Sequence, residues 1–460
     1  MTPLFLLVPA LLWLLLLAGA LGLADGGMRR LAAWAFLLAP IAAGALFGPE
    51  LAPGERLLAA SAGLLYLVKG FVLLRLPRDK VRRLPKGGLL LHLTVWPGID
   101  PAPFRQRRPG IEADAAVFFH GYRTLLLGAA LGIATLLLSP RLPAEVVGWA
   151  GLLALLLAVH GGYAQMLTYL LRAAGWNVGP LFDRPFRSRS LHDFWSRRWN
   201  LAFVEMGKFL FWTPLRRAFG PAGAVFGIFL ASGLLHEAAI SYPAGGGWGG
   251  PFLYFVLQGA LVLAERRLLR GEQRWNAAVR AAWTWFWLLA PAPLLFPAPF
   301  REAFLVPLFR YGHAVVASHP AAWWFDLALW LAAAGHFCAI GAGIQLPARL
   351  NWRHEAAKLA PFTRKIFWNY YATLGLILVA FGTLGFVLHA ELLRGDRAAL
   401  ALAGLIATFW TMRIGVDFLY FEHGDWPPGP QFVLGHALLT TLFLAMAATL
   451  WGLIAWHAFA

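Results

Sequence analysis

Apolar runs of about 20 residues recur along the whole chain, separated by shorter polar stretches. A helix of that length crosses the hydrocarbon core of a bilayer with every backbone hydrogen bond made internally. The pattern predicts twelve transmembrane helices, near 3–24, 31–48, 55–74, 118–139, 146–171, 222–242, 251–269, 281–297, 321–340, 366–390, 398–420 and 430–457. A further apolar segment around 303–318 is shorter and carries Arg310 and His313, so it reads as interfacial or re-entrant. The fold class expected is an all-α polytopic membrane protein.

Two long segments interrupt the pattern. The first, 75–117, opens with RLPRDKVRRLPK and continues as LLLHLTVWPGIDPAPFRQRR, where Pro97, Gly98, Pro101 and Pro103 forbid one continuous helix. The second, 172–221, mixes Trp, Phe and Arg in a way that suits the headgroup region or a half-buried element. Both irregular segments precede residue 320, which divides the chain into a core of 1–319 and a four-helix membrane module of 320–460.

Composition agrees, with 60% hydrophobic and 13% charged residues, and the net charge of +17 is explained by where the cations lie. Placing alternate loops on one side collects 31 of the 39 basic residues there, the positive-inside bias of a chain whose two termini both face outward. That accounts for the charge through topology and lipid headgroups, with no nucleic-acid partner expected. The first apolar run follows no basic stretch and reads as a helix, not a cleaved leader. Cys338, the single cysteine, allows no internal disulfide and is expected as a small buried hydrophobe.

The polar residues inside apolar runs carry the chemical interest, because each is costly at membrane depth. His236 lies within VFGIFLASGLLHEAAISY, with Ser232 one turn earlier on the same face and Glu237 rotated away by about 100°. Upstream, SLHDFWSRRWN offers Ser190 as a helix cap and Asp193 four positions from Arg197 for an ion pair. In that segment Trp195 and Trp199 share another helix face, and Asn200 ends the motif. From spacing alone this also describes an interfacial amphipathic helix, and His236 also describes a packed structural histidine. Lys69 is expected to snorkel or pair, and Arg413 with Asp417 to form an intramembrane brace. No two histidines stand three to five apart, so no metal site is expected, and no phosphate-binding G-x-x-x-x-G-K-[ST] run is present.

SLHDFWSRRWN followed by FLASGLLHE resembles the signature of the wax-synthase-like branch of the membrane-bound O-acyltransferase family. WPGIDPAPF, residues 96–104 with Trp96 at its head, resembles that branch's upstream motif, and the likeness covers roughly residues 50–300. It implies a helical bundle pierced by a tunnel, with Asn200 and His236 as the catalytic pair. It also implies acyl-CoA as co-substrate, no other cofactor, and a hydroxyl-bearing acceptor that is a lipophilic alcohol or lipid. The expected chemistry is a histidine base acting on the hydroxyl while the asparagine positions the acyl carbonyl. Arg197 and Arg198 are then candidate contacts for coenzyme A phosphates, with Asp193, Trp195, Trp199, Ser232 and Trp96 as further binding candidates.

An extracytoplasmic glycan or secreted metabolite as acceptor, and a lipid or metabolite transporter, are the competing readings. Transport predicts repeated halves, and none is visible. The expected location is a bacterial inner membrane. Patterns such as LNWRHE and FWTMRIGVDF in 320–460 weakly resemble small bacterial membrane proteins and bring no chemistry.

Overall fold

The computed structural model describes residues 4–47, 50–108, 113–268, 276–421, 427 and 429–459; helices dominate, with no β-strand among the described residues. Two compact units are formed, Met1–His313 and Ala314–Ala460. The first unit contains α1 (Leu4–Leu21), α2 (Gly27–Phe47), α3 (Pro53–Arg75), α4 (Ala115–Leu138), α5 (Ala144–Ala173), α6 (Leu201–Ala244), α7 (Gly250–Leu268) and α8 (Ala277–Leu289). The second contains α9 (Ala321–Arg349), α10 (Pro361–Val387), α11 (Arg397–Leu419) and α12 (Pro430–Phe459).

Among the described residues, eight helices are long and apolar enough to cross a membrane: α3, α4, α5, α6 and α9 to α12. A bent pair, 277–295 with 298–317, turns through 67° and meets the same criterion only as one broken span. Its second limb covers the segment that the sequence marks as interfacial or re-entrant.

Local chemistry sets the helix boundaries. The Asp114 carboxylate accepts from Ala116 N at 2.8 Å to start α4, and the Asn276 side chain accepts from Val279 N at 2.9 Å to start α8. Prolines open α3, α10 and α12, where a missing N–H costs nothing. Helices α4 and α5 approach so closely that a Cβ on Gly162 would stand 2.7 Å from the Cβ of Leu125.

Both irregular segments contain more helix than their prolines and polar residues suggest. In the first, Arg78–Arg82 and Lys86–Thr94 are α-helical and Ala102–Phe104 forms a 3-10 turn, while the WPGID portion between them is not helical. In the second, α6 begins at Leu201 and runs to a break at Gly220, which adopts φ 69° and ψ −179° before Pro221. A helix start near 222 is therefore a restart after the Gly-Pro break, because glycine alone tolerates that backbone and proline is suited to a first turn.

The second unit is braced across its helices. The Asp417 carboxylate on α11 meets His436 Nε2 of α12 at 3.0 Å and Thr440 Oγ1 at 3.3 Å, with Arg413 Nη1 at 3.6 Å. The expected Arg413–Asp417 pair is thus part of an interhelical group of four. Trp410 Nε1 donates to His336 Nε2 at 3.1 Å, and the His336 Nδ1–H goes to Ala332 O at 2.8 Å. Cys338 is exposed on α9, contrary to the expectation of burial, because the apolar face it belongs to looks outward.

Candidate functional site

Four segments of the first unit converge on the two motifs: the WPGID turn, the stretch 181–203, the end of α6 and helix α7. Departures from α-helical winding are concentrated here. Residues 156–163, 194–198, 208–212 and 237–241 are π-helical. Such widened turns re-aim side chains and recur at functional sites.

Ser190 caps the motif helix as its sequence predicts, its Oγ accepting from Asp193 N at 2.9 Å. A second cap comes from Glu265 of α7, only 3% exposed, whose two carboxylate oxygens accept from Leu191 N and His192 N at 3.0 Å each. The positive end of the helix compensates this buried charge. Asp193 pairs with Arg198 Nε at 2.6 Å, not with Arg197. The reason is the π-turn, which brings i and i+5 together where an α-helix brings i and i+4. Arg198 also donates to the carbonyl of Asp183 at 3.3 Å, which commits it to holding the loop. Arg197 is exposed and has no partner among the described residues.

Trp195 and Trp199 do not share a face, because Trp199 leaves the helix at φ −108°, ψ 128°. Trp195 donates to Gln258 Oε1 at 3.0 Å and packs on Phe255 of α7, with ring centroids 5.6 Å apart. Trp199 packs against Phe194, Phe182 and His160.

Asn200 follows in the left-handed conformation, φ 45° and ψ 62°, which asparagine tolerates better than most residues. Its Oδ1 accepts from Phe203 N at 3.3 Å and caps the first turn of α6. Its backbone neighbours are tied to the preceding loop, with Leu201 N donating to Leu181 O at 2.9 Å and Asp183 N to Arg198 O at 2.8 Å.

His236 stands on α6 just before the π-turn at 237–241, half-buried. The Nδ1–H points to Ser232 O at 2.7 Å, with Ser232 Oγ at 3.5 Å, so both contacts of the imidazole fall on one nitrogen. Nε2 is the remaining, basic nitrogen of that tautomer. The ring lies 4.3 Å from that of Phe255 and 6.5 Å from that of Phe203. Glu237 faces elsewhere, as its rotation predicts, and its Oε1 accepts from Phe252 N at 2.9 Å in the first turn of α7.

Helix α7 is therefore the shared scaffold. Phe252, Phe255, Gln258 and Glu265 lie on one side of it and touch Glu237, His236, Trp195 and the 191–192 turn in order.

The WPGID turn is fixed from two sides. Trp96 is 4% exposed, and its indole Nε1 would lie 2.1 Å from a Cβ on Gly98, so only glycine fits there. Glu205 of α6 accepts from Ile99 N at 2.9 Å and Asp100 N at 3.1 Å. Lys69 does not snorkel: it is 1% exposed and donates to the carbonyls of His92 and Trp96. His92 is fully buried against Phe104, and burial, followed by the nearby Lys69 ammonium, pushes its pKa down to about 3.

Glu205, Glu265, Gln258 and His160 were not singled out by sequence. Their partners are 22 to 106 positions away, so no local spacing marks them.

Residues 176–257 match the model of the family described as Membrane bound O-acyl transferase family. A protein named "Probable long-chain-alcohol O-fatty-acyltransferase 7" of Arabidopsis thaliana is 30% identical over 159 residues, covering 29% of this chain and 45% of that protein. The long-chain-alcohol O-fatty-acyltransferase of Simmondsia chinensis is 32% identical over 123 residues, covering 24% and 35%. Acyl-CoA–sterol O-acyltransferase 1 of Arabidopsis thaliana is 26% identical over 185 residues, covering 36% and 52%. The chain thus spans about half the length of these relatives, or less. The stretch that matches the family model holds the Asn200 turn, the His236 helix and the start of α7, and there the chain is similar to the membrane bound O-acyl transferase family.

Proposed function

We propose that this protein is a membrane-embedded O-acyltransferase that moves an acyl group from acyl-CoA to a lipophilic hydroxyl acceptor. The observation that carries the reading is the contact of His236 Nδ1 with the Ser232 carbonyl, which assigns the proton to Nδ1. That Nδ1–H is committed to Ser232 O at 2.7 Å, which leaves Nε2 as a base on an apolar spanning helix. Nε2 takes the hydroxyl proton as the alcohol oxygen attacks the thioester carbonyl. The carboxamide of Asn200 keeps two N–H donors on Nδ2, because its oxygen serves Phe203 N, and these stabilise the tetrahedral oxyanion. Collapse breaks the C–S bond, the imidazolium returns the proton to the departing thiolate, and ester and free thiol leave. An apolar surround limits competing hydrolysis.

Trp195 and Trp199 belong to the walls of this site, and Trp96 to its support. Of Arg197 and Arg198, exposed Arg197 is the one free to meet coenzyme A phosphates, since Arg198 is held by Asp193. The tunnel, a twelve-span topology with both termini outside, and residence in a bacterial inner membrane are parts of the same proposal. So is the division of labour in which residues 1–319 carry the chemistry and 320–460 accompany them. The relatives' printed names, long-chain alcohol and sterol acyltransferases, support an apolar alcohol over a glycan.

The test is purified protein in lipid nanodiscs given palmitoyl-CoA with and without hexadecanol. Alcohol-dependent release of free coenzyme A together with wax ester in the mass spectrum is expected. Thiol release that is indifferent to any alcohol, with no ester, contradicts the proposal.

A further inference from the structure

We propose that His160 is a positioning residue that clamps the Asn200 turn through Trp199, an inference that rests on the proposed role of Asn200. His160 sits in the π-helical stretch Leu156–Tyr163 of α5. Its imidazole lies nearly parallel to the Trp199 indole, 5.9 Å between centroids and 8° between planes. Phe182 closes a triangle, edge-on to His160 at 5.2 Å and to Trp199 at 5.0 Å. Each pair has a geometry in which aromatic rings attract.

The triangle acts where the backbone needs support. Asn200 is held at φ 45°, a strained region for any residue with a Cβ, and that conformation persists only if its surroundings over-determine it. Two cross-chain hydrogen bonds, Leu201 N to Leu181 O and Asp183 N to Arg198 O, join the turn to residues 181–183. Phe182 stands between those bonds and Trp199 beside Asn200, so the His160 ring grips both strands of the junction at once. The role assigned to the imidazole is that of a ring, since its Nδ1 is buried with no hydrogen-bond partner among the described residues. The widened π-turn is what lets α5 aim this side chain at the junction.

The experiment compares His160→Ala and His160→Phe, with His236→Ala alongside, in two readouts. By hydrogen exchange, the amides in the peptide around Leu201 and Phe203 exchange faster in His160→Ala and at the wild-type rate in His160→Phe. This readout holds whatever reaction the protein performs. By acyl transfer, His160→Ala lowers kcat about tenfold or more with KM little changed, as a displaced catalytic group does. His160→Phe recovers kcat to within about threefold and keeps the wild-type pH profile, since a ring suffices. If His160→Ala does not fold, the phenylalanine variant still decides. His160→Phe as inactive as His236→Ala, or with an altered pH profile, overturns the positioning role in favour of a chemical one. Wild-type exchange and activity in His160→Ala overturn it outright. Full activity in His236→Ala instead overturns the acyltransfer reading and leaves the exchange result to stand on its own.

Discussion

The Asn200 carboxamide oxygen accepts from the Phe203 amide at 3.3 Å, and the Phe203 ring stands 6.5 Å from the His236 imidazole. One asparagine thus caps the helix that carries the histidine, holds a neighbour of the histidine in place and keeps its own N–H donors free. Structural and chemical roles are combined in the same side chain, and substitutions separate them.

Asn200→Ala loses the cap and retains a Cβ in left-handed backbone, costing about 1–2 kcal/mol of stability. Asn200→Gly relieves the backbone and costs only a few tenths of a kcal/mol. Both lack the donor, so both lower kcat about 100-fold or more. Thermal denaturation beside kcat checks this; recovery of activity in the glycine variant would show that the donor is not used.

Glu265 supplies two hydrogen bonds to the 191–192 turn from a site 3% exposed to solvent. Glu265→Ala leaves those amides unpaired at about 1–3 kcal/mol each, and Glu265→Gln is milder because an acceptor remains. A falling melting temperature in the order wild type, Gln, Ala is expected, with kcat falling in the same order. Equal stability of all three would remove Glu265 from the scaffold.

His92 gives a pH dependence with a definite sign. Its folded pKa is about 3 against an ordinary value of 6.5, so between those values the unfolded chain binds a proton that the folded chain refuses. Stability from this residue is present above about pH 6.5 and is lost as pH falls toward 3. His92→Leu removes that slope, and melting curves from pH 7 to 4 should be flatter for the variant than for the wild type. An unchanged slope contradicts the buried neutral imidazole.

In the second unit, Asp417 is 5% exposed and shared by His436 and Thr440. Asp417→Ala withdraws the common acceptor and costs about 3–5 kcal/mol. Replacing Asp417 and His436 together by Leu is expected to recover much of that loss. A single variant as stable as wild type would mean that the group bears no load.

Helical class and both motifs were legible in the sequence, since apolar runs of spanning length and the Ser190 cap obey local rules. Glu237 was also placed correctly by rotation alone. The Asp193 pairing was not, because a 3.6-residue period assigns it to Arg197 while the π-turn delivers Arg198. The first limb of α6 was hidden by its Trp, Arg and Lys content, which reads as loop. Glu205, Glu265 and His160 become visible only when segments distant in sequence meet. Local periodicity reports which face a residue occupies and not what it meets across the fold.

The central claim turns on Nε2 of His236 as the base. The most direct measurement is ester formation by His236→Ala and His236→Gln in nanodiscs, with folding verified by an unchanged melting transition. The account predicts a fall in kcat of about 100- to 10,000-fold in both, with long-chain alcohol and acyl-CoA still bound. Ester formation at the wild-type rate by either folded variant would contradict it.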